Sequence, residues 1–193
     1  MQKIMFSDRF CLTQAVLEGR KTMTRRLVPE KLVKYIKAHL PGIAVMESRY
    51  KVGEVVAVAQ AYKDVELNTS GVKRVYNQSL DIYEDPLAFT PGWTNKMFVK
   101  AELMPHHIRI TNVRVERLQD ISGEDCLREG IKEESRFPHK KSYPFYFDGG
   151  KRSWDNHFST PRLAFAALID KVSGRGTFGS NPWVFVYEFE LVK

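Results

Sequence analysis

Between Leu17 and Arg26 the chain reads Leu-Glu-Gly-Arg-Lys-Thr-Met-Thr-Arg-Arg, a run in which a helix has to stop and a strand has to begin. Upstream, Leu12, Ala15 and Val16 fall on one face at helical spacing, and Ser7 is the expected N-cap. Gly19 marks the stop, because a glycine just past a helix takes the left-handed conformation without steric cost. From Thr22 to Leu27 the residues alternate as a half-buried strand does, with Thr22, Thr24 and Arg26 on one face and Met23, Arg25 and Leu27 on the other. Four cations (Arg20, Lys21, Arg25, Arg26) and two hydroxyls thus gather at one helix-to-strand turn. Such a set suits an anionic or polar ligand. It equally describes a basic surface turn whose Met23 and Leu27 alone reach the core.

The rest of the chain supplies the elements around this turn. Glu30 to His39 predicts an amphipathic helix ended by Pro41-Gly42, and Val55 to Ala59 predicts a buried strand. His107 to Leu118 alternates well, with a shift of register expected near Asn112. Ser122 is placed to cap a helix over Glu124 to Glu129 that Gly130 would end. Pro161 to Val172 predicts a helix with Leu163, Ala164, Ala167 and Leu168 inward, and Trp183 to Leu191 predicts a closing strand. Gly174 to Gly179 spells G-x-G-x-x-G, but it follows a helix and precedes a strand, the reverse of what dinucleotide binding needs. From Phe137 to Trp154, aromatics (Tyr143, Phe145, Trp154) interleave with cations (Lys140, Lys141, Arg152), a mixture that stacks bases and meets phosphates, or else pins a long loop.

Composition narrows the class. A chain of 193 residues with 43% hydrophobic content can bury one real core, so a single domain over 1–193 is expected. No apolar run approaches the ~20 residues of a membrane span, and the opening Met-Gln-Lys-Ile-Met-Phe is too short for a signal peptide, so a cytoplasmic protein without membrane contact is expected. Cys11 and Cys126 make no disulfide framework or zinc site, and the adjacent His106 and His107 point apart on a strand, so no metal site and no cofactor are expected. The net charge of +7 favours a polyanionic or phosphate-bearing partner.

Nucleophile elbows, Walker loops and H-E-x-x-H are absent. What remains is Lys21, Thr24 and a carboxylate. A threonine hydroxyl attacks only when a base takes its proton, and a lysine serves once burial or cationic neighbours such as Arg20, Arg25 and Arg26 lower its pKa. A glutamate orients the lysine or carries a proton to a leaving amine. That set suits hydrolysis of an amide.

Gly19-Arg20-Lys21-Thr22-x-Thr24-x-Arg26 resembles the N-terminal signature of ASCH-domain proteins, of the PUA-like superfamily. Arg114 to Ile121, with Glu124-Asp125 and Glu129-Gly130-Ile131, resembles the family's middle strand and following helix. Asn181 to Glu190 resembles the closing strand of its larger, often prophage-associated members. The resemblance implies an α+β fold: a PUA-like mixed β-barrel with flanking helices, interrupted by insertions at about 29–49, 63–92 and 132–180. Some small bacterial ASCH proteins are amidohydrolases that deacetylate N4-acetylcytidine with a lysine, a threonine and a glutamate. By resemblance these fall at Lys21, Thr24 and Glu129, with Glu124 the second choice for the glutamate. Where many relatives carry an arginine-glutamate pair after the Val55–Ala59 strand, this chain has Gln60-Ala61. The implied partner is RNA or a modified nucleoside, met by Arg20, Thr22, Arg25, Arg26, Lys140, Lys141, Tyr143, Arg152 and Trp154. Noncatalytic RNA binding and ribonuclease activity, which also occurs among ASCH relatives, are the alternatives, and no acidic metal cluster supports the last.

Overall fold

The computed structural model describes residues 1–65, 75–77, 82–84, 87–137, 140–145 and 157–192. The elements in chain order are β1 (Lys3–Ile4), α1 (Leu12–Leu17), β2 (Met23–Leu27), α2 (Glu30–Lys37), α3 (Pro41–Met46), β3 (Val55–Val58), β4 (Val75–Asn77), β5 (Ile82–Glu84) and β6 (His107–Arg117). They continue with α4 (Gly123–Arg128), β7 (Glu134–Phe137), β8 (Lys140–Pro144), β9 (His157–Phe158), α5 (Pro161–Ser173), α6 (Thr177–Ser180) and β10 (Trp183–Val192). The fold is α+β. Five strands form one mixed sheet in the order β1-β3-β6-β10-β2, while β4–β5 is a separate pair and β7-β8-β9 a separate three-stranded sheet.

The mixed β-barrel expected from the resemblance is not formed. The main sheet is open, ending at β1 and β2, and among the described residues no pairing joins those ends. Closing a sheet requires strands long enough to tilt and stagger around a barrel axis, and β1 offers only two residues. Within the expected single span the chain packs as two compact units. One holds Met1–Phe6, Val55–Ile108 and Val192–Lys193, and the other holds Ser7–Glu54 and Arg109–Leu191.

In the first unit β1 lies parallel to β3, with Lys3 beside Ala57 and Ile4 beside Val58. Its core gathers Ala57, Ala59, Tyr62, Val99, Ala101 and Met104. The segment from Pro91 to Lys100 is a loop with short 3₁₀ turns at Pro91–Trp93 and Lys96–Phe98. Lys3 ties that segment down by donating to the carbonyls of Met97 at 2.6 Å and Val99 at 2.7 Å.

In the second unit β2 and β10 pair antiparallel, from Met23 opposite Glu188 to Leu27 opposite Val184. Opposed residues share a face, so Met23 and Arg25 lie with Glu188 and Val186, while Thr24 and Arg26 lie with Tyr187 and Phe185. Helix α5 is capped by Thr160, whose hydroxyl accepts from the Leu163 N–H, and it packs against α4. Its buried face is Ala164, Phe165 and Leu168; Leu163, expected inside, is 52% exposed. Pro41 opens a further helix, α3, beyond the stop it was expected to impose, because proline is well accepted in a first turn. The Ser7 side chain does not cap α1: the N-cap is Cys11 at φ 53°, and Ser7 instead supplies the carbonyl that accepts the Leu12 N–H. Among the described residues no helix is long and apolar enough to cross a membrane.

Gly92 sets a packing limit in the first unit. A Cβ there would lie 2.4 Å from Cε2 of Tyr62, whose ring is buried and whose hydroxyl accepts the Lys100 N–H at 2.8 Å. Gly92→Ala is therefore expected to destabilise the protein by about 1–3 kcal/mol, the range for forced overpacking. Urea denaturation monitored by tyrosine and tryptophan fluorescence checks this, and an unchanged midpoint would contradict the tight Gly92–Tyr62 approach.

Candidate functional site

The second unit places the Gly19–Arg26 run against the end of α4. Helix α1 stops as its spacing predicts, with Gly19 at φ 72° and its N–H donating to Val16. The chain reverses there: the Lys21 N–H returns to the carbonyl of Ala15, and the Thr22 N–H reaches across to Arg128, each within 3.0 Å. On the facing side Ser122 caps α4, accepting the Asp125 N–H at 3.0 Å. Gly130 ends it at φ 106°, where a Cβ would come 3.2 Å from Leu12 Cδ2 and 3.6 Å from Lys21 Cδ. A side chain at 130 would thus meet both backbone strain and the stem of Lys21.

This closure buries Lys21, which is 2% exposed. Its Nζ donates to Glu129 Oε2 at 2.6 Å, to the Glu129 carbonyl at 2.8 Å and to the Met23 carbonyl at 2.8 Å, which uses all three ammonium protons. Burial lowers the lysine pKa, an effect that the adjoining Glu129 charge opposes without reversing. Lys21 and Glu129, 108 residues apart in sequence, are the two members of the expected trio that the fold brings together.

Arg25 holds the other oxygen of the same carboxylate, donating from Nη1 to Glu129 Oε1 at 3.1 Å. Its Nε and Nη2 both reach Glu116 Oε1, at 2.9 and 2.6 Å, and Nη2 also meets Asp125 Oδ2 at 3.0 Å. The guanidinium carbon lies 6.0 Å from the centre of the Phe165 ring. Arg25, expected as a ligand contact, has a side chain only 1% exposed and lies wholly within this network.

From there the ion pairs run outward. Arg114 joins Glu116, Asp125 and Glu188, and Arg128 joins Glu188 at 2.8 Å and the Thr22 hydroxyl at 3.3 Å. The Glu188 pKa is lowered, chiefly by its hydrogen bond from Arg128. Exposure grows along the path, reaching 36% at the Arg128 side chain, so the outer pairs are screened by solvent and the inner ones are not. Cys126, at the centre of α4, is fully buried, and burial pushes its thiol up to about 12, which leaves it inert as a nucleophile.

Thr24 lies on the opposite face of β2 from Arg25. It is 5% exposed. It sits beside Tyr187, whose ring meets Tyr50 edge-on with centroids 5.3 Å apart. Arg26, on the same face, is exposed. Arg20 pairs with Glu18 at 2.9 Å and donates to the Gly130 carbonyl at 3.3 Å.

Lys141 and Tyr143 both engage Glu133, at 2.9 and 3.2 Å, and Phe145 is buried between Phe10 and Phe158. Arg152 and Trp154 lie outside the described residues, as does the side chain of Lys140. Glu124, the second choice for the glutamate, is exposed. Among the described residues no group of three or more His, Cys, Asp or Glu is placed to hold a metal ion.

Sequence reasoning missed the outer network. Asp125 was legible only as a helix-start acid, and Glu116, Arg114 and Glu188 only as the polar half of alternating strands. One signal was present: Arg114 and Glu116 are two apart on β6, so they share a face.

Removing one member of a buried pair leaves an uncompensated charge. Glu129→Ala strips the carboxylate partner from Lys21 and one of three from Arg25, and is expected to cost about 3–5 kcal/mol. Lys21→Met is expected to cost less, because Arg25 still faces Glu129. Denaturant unfolding of the two variants tests the order, and a larger loss in Lys21→Met would contradict the bridging geometry.

Compared with known proteins, the chain matches no protein-family model, no curated protein and no solved structure.

Proposed function

We propose that this chain is an ASCH-type, PUA-like protein that binds RNA or a modified nucleoside, and that Lys21, Thr24 and Glu129 hydrolyse the amide of an N4-acylated cytidine. The observation that carries the reading is the buried 2.6 Å contact between Lys21 Nζ and Glu129 Oε2. It joins the motif lysine to the glutamate that the resemblance selected, at a site where burial lowers the lysine pKa.

In this reading Thr24 Oγ1 attacks the acyl carbonyl carbon and its proton passes to the neutral Lys21 amine. The C–N bond to the cytosine N4 then breaks, and the departing nitrogen takes that proton. Water attacks the acyl-threonine, releasing the carboxylic acid and restoring the hydroxyl. Two rearrangements are required. Lys21 must give up a carbonyl partner and turn toward Thr24, and the side chains covering Thr24 must part to admit the substrate. Arg26, exposed on the Thr24 face, is the contact proposed for a phosphate or carbonyl oxygen there.

One observation favours the second reading, noncatalytic binding of RNA. All three protons of Lys21 are held by acceptors, the arrangement of an ammonium rather than a base. That reading predicts salt-dependent RNA binding weakened by Arg26→Ala, without product.

Purified protein is expected to release cytidine from N4-acetylcytidine, with Lys21→Ala and Thr24→Ala folded but at least 100-fold slower, the order of effect for losing general-base action (about 10²–10⁴). Because the free amine is the active form, kcat/KM should rise with pH and level off below the ordinary lysine value. Chromatography of the products checks both. No release from any N4-acylated cytidine, alongside RNA binding that falls with salt, would replace catalysis with the second reading.

A further inference from the structure

A buried Lys–Glu pair standing alone is a poor base. If the lysine loses its proton, the carboxylate is left as a bare charge out of water, so the pair holds the ammonium form. The Glu129 carboxylate is not alone. One oxygen faces Lys21 at 2.6 Å and the other faces Arg25 at 3.1 Å.

We infer that Arg25 is a positioning residue for the Lys21–Glu129 pair: it holds the second oxygen of Glu129 so that Lys21 can surrender its proton while the buried carboxylate keeps a cation. For the reaction this rests on the amidohydrolase reading, but the protonation of Lys21 is measurable without it.

The geometry fits this role better than it fits a ligand contact. The guanidinium is planar and permanently charged, and its fork is fixed by Glu116 from β6 and Asp125 from α4. Those acids are themselves held by Arg114, so Arg25 cannot swing away to follow a ligand. Lysine at 25 would reach either Glu129 or the Glu116–Asp125 side, not both.

The charged groups around the pair have consistent signs. From β2, Arg25 and Arg26 both disfavour a charge on Lys21, and the Glu129 carboxylate at the end of α4 favours it. Arg128 on α4 and Glu188 on β10 pair with each other at 2.8 Å, at the solvent-facing end of the network. Arg25 is also the position where the strand alternation demands an apolar residue: Met23, on the same face of β2, is fully buried. A cation there is costly unless compensated, and compensation by acids from two other elements marks the site as built for it.

The test follows the Lys21 side chain itself. Protein carrying ¹³C,¹⁵N-lysine is titrated by NMR, with the Lys21 signal assigned from Lys21→Met. In Arg25→Gln the Lys21 pKa is expected to rise by at least one pH unit, tenfold in proton affinity, with Arg25→Lys in between. Arg25→Gln/Glu116→Gln, which restores the charge balance, serves if the single variant does not fold and is expected to show the same rise. An unchanged or lowered Lys21 pKa in folded variants overturns the inference and leaves Arg25 a packing residue. With N4-acetylcytidine as substrate, the ascending limb of kcat/KM should move with that pKa. If wild type shows no turnover while the Lys21 pKa still rises, the positioning role stands and the amidohydrolase reading fails.

Discussion

A single carboxylate shared between two buried cations governs the architecture of the second unit. Glu129 compensates Lys21 and, together with Glu116 and Asp125, Arg25 in a dry interior, where either cation alone would cost several kcal/mol to bury. The remaining pairs satisfy the donors of Arg25 and pass charge outward in alternating sign until solvent takes over at Arg114 and Arg128. The set contains four cations, Lys21, Arg25, Arg114 and Arg128, and four anions, Glu116, Asp125, Glu129 and Glu188. A neutral network of this kind is nearly indifferent in net stability yet intolerant of losing one member. It joins β2, β6, β10 and α4 through side chains from each.

The local signals that create the network are simple. Gly19 reverses the chain after α1, and Gly130 ends α4 close against Leu12 and Lys21. Ser122 starts α4 so that Asp125, Arg128 and Glu129 descend toward the strands. These punctuation residues were legible because each acts within a few residues of itself. The alternation of β2, β6 and β10 was legible for the same reason. The pairing of Lys21 with Glu129 had no such local signal across 108 residues. It came from resemblance, and the 2.6 Å contact is what the fold adds to it.

What was not legible follows from the same division. Arg25 reads as a surface cation because arginine is rarely buried, and only the three acids converging from β6 and α4 make its burial affordable. Phe145 reads equally as a base-stacking aromatic or as a pin for a long loop, and only Phe10 and Phe158, which close around it, decide for the pin. Leu163 reads as core on helical spacing alone, yet α5 turns its Phe165 side inward against Phe178, with ring centroids 6.3 Å apart. The open sheet was hidden because closure depends on the length of the end strands, and β1 is cut short at two residues.

The charge balance also reassigns the basic motif. Four of the eight residues from Glu18 to Arg25 are charged, and all four are already paired internally: Arg20 with Glu18, Lys21 with Glu129, and Arg25 with three acids counting Glu129. The ion-pair network is neutral as a whole, so the net charge of +7 arises from residues outside it. A polyanion near this protein would therefore meet the field of those other cations before that of the paired motif. Its Thr24 face carries a buried hydroxyl beside the exposed Arg26. Its Arg25 face is where the cations are held still.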